Sequence, residues 1–281
     1  MSKAGGLLRY VAIRALMVVP TILILYTLVF IILRIIPGDP ITAIVGTKSL
    51  PPEQLEALRE AAGLNKPYIV QYFEYLWDIL HGDFGESLVI RGRPIIADLF
   101  DRFPATLELS IVSFIVSVLI GLATGTLAAS KRGTPADTSM RIYSVVAYTL
   151  FIPWFGMMLQ ILFGVQLKIL PISGRLDPGL SIERITGLYL IDSLLTGNLE
   201  GFKNALAHLV LPTITLGTVL SGAYTRLLRN NLIDVLSQDF VRAYHARGVR
   251  GYKVMLHAIK NAFIPVAVSY THLTLPTTER V

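Results

Sequence analysis

Residues 238–265 read QDFVRAYHARGVRGYKVMLHAIKNAFIP, a polar, basic stretch set between two membrane-type hydrophobic segments. Two short helices are legible in it. In the first, Phe240, Val241 and Tyr244 fall at i, i+1 and i+4 and share one apolar face, while Arg242, His245 and Arg247 point elsewhere. Gly248 stands where a left-handed residue can end a helix without a Cβ penalty. In the second, Tyr252, Met255, Ala258, Ile259 and Ala262 recur at helical spacing, with Lys253, His257 and Lys260 on the opposite face. Two amphipathic helices meeting at a glycine turn, hung between membrane helices, can pass rigid-body motion from a bound partner into the membrane. The same pattern fits a basic helix pair resting on lipid headgroups.

Composition places that element in a membrane protein. Of 281 residues, 53% are hydrophobic and only 16% charged, and mean hydropathy is +0.60, too apolar for an ordinary soluble domain. The net charge of +6 is concentrated in short stretches beside hydrophobic spans, the pattern of positive-inside topology, and calls for no nucleic acid. With no cysteine, disulfides, thiol catalysis and thiolate metal sites are excluded.

Along the chain, Lys3, Arg9 and Arg14 precede a charge-free run from Ala15 to Leu33 that contains Pro20 and is long enough to span a bilayer. Arg34-Ile-Ile-Pro-Gly-Asp-Pro40 follows in place of a small-residue cleavage site, so the span is read as retained. Residues 37–103 carry ten acidic and six basic side chains and form an extracytoplasmic helical segment. Pro51-Pro52 opens a helix stopping at Gly63. Pro67 opens a second, striped by Ile69, Tyr72, Phe73, Leu76 and Leu80, and Pro94 starts a third that ends near Phe103. The Gly82–Ser87 turn lacks the regular oxygen spacing of a calcium loop.

The second span runs from about Leu109 to Ala129 and carries Gly121 and Gly125, a spacing that brings two helices close. Its positive exit loop holds Lys131, Arg132 and Arg141. The third, about Ile142 to Leu167, is interrupted at Pro153 and carries Gln160; the interruption reads either as a packing kink or as a break exposing carbonyls to a pathway. A charge-balanced outside loop, residues 168–203, leads to the fourth span, about Ala205 to Thr225, where His208 reads as a polar anchor, ligand or proton relay and Pro212 lies just inside. Residues 226–260 carry seven basic and two acidic side chains. One topology satisfies every loop: an all-α polytopic bundle with its N-terminus inside, four complete spans and the start of a fifth at residues 262–268.

The loop around Ala243, Gly248, Asn261 and Ile264-Pro265 resembles the cytoplasmic EAA loop of ABC-importer permeases, in the form of the dipeptide, oligopeptide and nickel branch. Here Arg242-Ala243-Tyr244 stands for Glu-Ala-Ala, and the closing proline lies farther from the glycine. The segment Pro20–Pro40, the Gly82-Asp-Phe-Gly85 turn, Leu170–Gly174 and LAHLVLP at 206–212 are similar to the same branch. The resemblance implies a bacterial inner-membrane permease for peptides, or for nickel or glutathione. It implies a second permease subunit, two ATPase subunits at the loop, and an extracytoplasmic substrate-binding protein. It assigns ATPase coupling to Asp239, Arg242, Ala243, Tyr244, Ala246, Arg247, Gly248, Asn261 and Pro265. Gly121, Gly125, Pro153, Gln160, His208 and Pro212 are the candidates for pathway or packing. No catalytic residue, metal or cofactor is expected in this chain, and ATP with its magnesium is expected on the partner subunits, because no Gly-x-x-x-x-Gly-Lys-Ser/Thr loop occurs. The implied domains are residues 1–36, 37–103 and 104–268. Residues 268–277 resemble the in-frame translation of a transposon-based sequencing adapter, so 269–281 are expected to be a non-native tail that stands where the native sequence continues into the rest of the family's fifth helix and its sixth.

Two rival classes make different demands. A secondary transporter or channel usually keeps an ionisable group within the membrane, and the four span cores hold no Asp, Glu, Lys or Arg. A membrane scaffold needs neither a broken helix nor a docking turn.

Overall fold

The computed structural model describes residues 3–35, 51–61, 65–86 and 93–272. Among these the secondary structure is helical apart from one isolated bridge, Glu86 to Pro94. The chain divides into two compact units, residues 1–100 and 101–281. The first holds α1 (Lys3–Ile35), α2 (Pro52–Ala61) and α3 (Tyr68–Leu80), the last two opening at the prolines that announced them. Gly63 and Ser87 lie outside the described residues, as do residues 36–50 and 273–281.

The third extracytoplasmic helix and the second span are in fact one helix, α4 (Ile95–Ser130), which runs through Pro104. A proline removes one ladder bond and crowds one carbonyl, and a helix this long absorbs that loss. Beyond it come α5 (Pro135–Thr149), α6 (Ile152–Leu159) continuing as a π-helix (Gln160–Gln166), α7 (Tyr189–Leu195), α8 (Leu199–Leu236), α9 (Asp239–Ala246) and α10 (Gly251–His272).

The organising element of the second unit is α8. At 38 residues it outruns the expected fourth span at both ends, and its extension past Thr225 adds about 16 Å of helix at 1.5 Å per residue. Small residues let its neighbours approach. A Cβ on Gly121 of α4 would lie 2.5 Å from that of Tyr224, and one on Gly125 would lie 3.0 Å from that of Leu228. Gly222 meets α5 in the same way, where a Cβ would stand 2.5 Å from the Ser144 carbonyl oxygen. Hydroxyl pairs stitch these contacts, Thr124 to Thr225 at 2.7 Å and Tyr143 to Ser221 at 2.6 Å. Gly121 and Gly125 are therefore packing residues.

The third span is broken more deeply than a kink. The axes of α5 and α6–π meet at 102°, and the break falls at Leu150-Phe151, ahead of Pro153. A helix continued through Pro153 would lose its bond to the Thr149 carbonyl and drive the ring into it. The chain instead leaves the helix after Thr149 through two extended residues and restarts with proline in the first turn of α6. The π-helix then folds back on its own exit: Lys168 takes φ 54°, and Gly164 leaves the room that Ile172 fills.

Candidate functional site

The helix at residues 239–246 forms as its periodicity demands. In α9, Val241 is buried, Phe240 and Tyr244 are half-buried, and Arg242, His245 and Arg247 are exposed. The helix ends in a Schellman turn: Gly248 has φ 69°, its N–H donates to the His245 carbonyl at 3.0 Å, and the Val249 N–H donates to the Tyr244 carbonyl at 3.0 Å. This closes two orphan carbonyls with a residue that carries no Cβ to strain the left-handed backbone.

What lies beneath the element connects it to the bundle. Phe240 packs against a cluster of Leu228, Leu232, Val235, Ala258 and Ala262, which Ala129 and Tyr224 complete. The rings of Phe240 and Tyr244 meet edge-on at 5.9 Å, and Tyr244 stacks on His257 at 5.4 Å. On α10 the buried face is Val254, Ala258 and Ala262 at i, i+4 and i+8, with Met255 and Ile259 beside them. Tyr252, expected on that face, is instead exposed, because it sits in the first turn at the edge of the contact. The helix also runs without interruption from Gly251 to His272, so the second amphipathic helix and the expected fifth-span start are one element.

The outer surface of α9 carries Asp239, Arg242, Ala243, Ala246, Arg247 and Gly248, all exposed. Asp239 and Arg242 approach to 3.5 Å at side-chain exposures of 97% and 79%; a pair so open to water contributes little to folding and is free to meet a partner. Asn261 is exposed one helix away. Pro265 lies within α10.

A second site forms at the bend. Pro153, Gln160, His208 and Pro212, apart in sequence, line one cavity of about 380 Å³ together with Gly156 and Thr215. Gln160 is exposed, and its Nε2 donates to the Ile172 carbonyl at 3.1 Å. His208 is buried, with Nδ1 3.0 Å from the Asn204 carbonyl and Nε2 3.6 Å from Asp177. The walls are mostly apolar with a few polar groups among them.

Three buried carboxylates escaped the sequence reading, since charge counts do not reveal partners. Asp137 of α5 takes a two-pronged bond from Arg229 of α8, Nε at 2.6 Å and Nη2 at 2.7 Å, and a third from the Gly133 N–H at 3.1 Å. Glu108 of α4 accepts from Arg175 at 2.8 Å and from the Leu190 N–H at 2.7 Å, while the Arg175 guanidinium lies 3.8 Å over the Tyr189 ring. Asp192 is fully buried in a ring of donors, the Thr186 hydroxyl and the N–H groups of Ile185, Thr186 and Gly187. Burial alone would raise its pKa, but those hydrogen bonds outweigh it and hold the carboxyl below its ordinary range. Glu108 and Asp192 fix the loop between the π-helix and α8, while Asp137 ties α5 to α8.

With this geometry in place, comparison with known proteins defines the class. Residues 121–272 match the model of the binding-protein-dependent transport system inner membrane component, and residues 7–110 match the N-terminal model of the same membrane components. The chain belongs to this family of inner-membrane permeases; it is a multi-pass transport component and not an enzyme. It is 37% identical over 261 residues to the di/tripeptide transport system permease protein DppB of Pseudomonas aeruginosa, covering 92% of this chain and 77% of that one. It is 35% identical over 264 residues to the dipeptide transport system permease protein DppB of Escherichia coli, covering 92% and 78%. The probable D,D-dipeptide transport system permease protein DdpB of Escherichia coli is 40% identical over 238 residues, 84% of this chain and 69% of that one.

Proposed function

We propose that this chain is the transmembrane permease subunit of an ABC importer for short peptides, and that it receives its driving force through α9. The peptide assignment is supported by the relatives, three of them transport permeases for dipeptides or di/tripeptides by name. In this reading the N-terminus is cytoplasmic, α1, α4 and α8 each cross the membrane, and α5 with α6 makes one broken span. A second permease completes the pathway and a substrate-binding protein delivers cargo from outside. ATP and its magnesium belong to two ATPase subunits that grip Asp239, Arg242, Ala243, Ala246, Arg247 and Gly248.

The observation that carries the mechanism is the two-faced character of α9, charged and exposed outward, with Val241 and Phe240 seated inward on the α8–α10 cluster. A pull on the outer face moves α8, and α8 lines the cavity at the bend. ATP binding in the partners then shifts the permease between its two states by no more than the difference in their hold on each. The test is capture of the ATPase subunits encoded beside this chain by the membrane-inserted protein, wild type against Gly248→Leu. The substitution imposes about 1–2 kcal/mol of left-handed strain on the turn. Capture by wild type that is lost in the variant, with equal membrane insertion, is the expected outcome. Equal capture by both would remove α9 from the mechanism.

A further inference from the structure

The apolar stripe of α3 is only partly used by the chain itself. Tyr72 turns toward α1: its hydroxyl meets that of Thr27 at 2.8 Å, its carbonyl accepts from the Tyr26 hydroxyl at 2.8 Å, and its ring lies 5.0 Å and 5.3 Å from those of Tyr26 and Phe30. Ile69, Phe73, Trp77 and Leu80, at i, i+4, i+8 and i+11, follow a different line along the helix and remain between 62% and 73% exposed. Glu74 and Asp78 occupy the next arc, Glu74 binding Lys66 at 2.8 Å. The helix thus has three sides: one on α1, one apolar and uncovered by the described residues, and one charged.

The depth of α3 identifies what covers the apolar side. The apolar core of α1 runs from Ile13 to Ile32, and Tyr26 lies about 9 Å short of its C-terminal end at 1.5 Å per residue. A helix lying in the membrane interface sinks its apolar face ~5–10 Å into the boundary between headgroups and acyl chains. Trp and Tyr gather at that same level. The contact with Tyr26, Thr27 and Phe30 therefore holds α3 at the depth where such a helix rests, and the charged arc beside the stripe has water within reach.

We infer that α3 is an interfacial helix whose Ile69, Phe73, Trp77 and Leu80 stripe lies in lipid at the headgroup–acyl boundary, beside the C-terminal end of the first span. This rests on α1 crossing the membrane and is independent of what the transporter carries. The helix sets the vertical position of the first span, because sliding α1 along the membrane normal would drag either the stripe into water or Glu74 and Asp78 into hydrocarbon.

This chain contains no cysteine, so one introduced thiol is its only labelling site. Phe73→Cys, Trp77→Cys and Glu74→Cys would each be labelled with bimane in the assembled transporter, its other subunits made cysteine-free. The samples would be reconstituted in phosphatidylcholine–phosphatidylglycerol vesicles with and without a nitroxide at acyl carbon 5. The expected result is a blue-shifted label at 73 and 77, quenched by the nitroxide lipid and protected from aqueous iodide, and the reverse at 74. Equal iodide quenching at all three positions, with no effect of the nitroxide, would overturn the proposal. So would protection at 73 that develops only when the substrate-binding protein is added, which would make the stripe a protein-docking face. If Phe73→Cys fails to assemble, Trp77→Cys and Ile69→Cys report on the same stripe.

Discussion

Gly121 shows how much a single absent Cβ decides. A side chain there would stand 2.5 Å from the Tyr224 Cβ, a separation real atoms do not adopt, whereas at Gly125 the corresponding distance is 3.0 Å. Both neighbours belong to helices, so neither swings away as the end of a flexible side chain would. Gly121→Leu is expected to destabilise the bundle by at least the ~1–3 kcal/mol typical of overpacking, and Gly125→Ala by less. Thermal unfolding of the purified protein in detergent checks the order; equal midpoints for Gly121→Leu and wild type would contradict the contact. The Gly-x-x-x-Gly spacing is visible in the sequence, but its partners, Tyr224 and Leu228, lie about a hundred positions away. Only the fold brings them together.

Among elements, α5 and α8 are joined by a buried ion pair. The Asp137–Arg229 pair has side-chain exposures of only 4% and 17%, and Arg229 follows Leu228, a member of the cluster beneath α9. Removing one partner strands the other charge. Arg229→Met alone is expected to cost ~3–5 kcal/mol, whereas Asp137→Leu combined with Arg229→Met should recover most of it. Unfolding midpoints of the three proteins decide the matter, and a double variant no better than the single one would show that the two side chains do not act as a pair. The bend between α5 and α6 belongs to the same scale. Pro153 announces a defect, but the sequence does not tell a kink from a 102° turn. The difference lies in whether the residues ahead of the proline remain helical, and here Leu150 and Phe151 are extended.

For the molecule as a whole, the consequence of that turn is a cavity. Four of the six residues singled out as pathway or packing candidates converge on it, while the two glycines serve helix contact. Gly156 lines the cavity, and a Cβ there would sit 3.5 Å from Thr215, ordinary contact distance, so the backbone tolerates a side chain that the open space must absorb. Gly156→Phe is expected to lower dipeptide uptake in proteoliposomes while leaving capture of the ATPase subunits unchanged, since α9 lies outside the cavity lining. Unchanged uptake would separate the cavity from transport. A loss of both activities would indicate damage to the bundle instead.

Local information was enough for much of this protein. Helical periodicity placed α9 and its two faces, the left-handed glycine at 248 followed from the absence of a Cβ, and apolar run length marked α1, α4 and α8 as elements long enough to cross a membrane. Each of these properties is set by residues within a turn or two of one another. Other features needed the tertiary structure: the partners of Gly121, the burial of Val254 in place of Tyr252, and the continuity of α4 through Pro104. The same is true of the pairing of Asp137 with Arg229, the donors around Asp192, and the gathering of Pro153, Gln160, His208 and Pro212 on one cavity. Those depend on which distant surfaces meet, and a charge or a proline carries no mark in the sequence of the neighbour that will satisfy it.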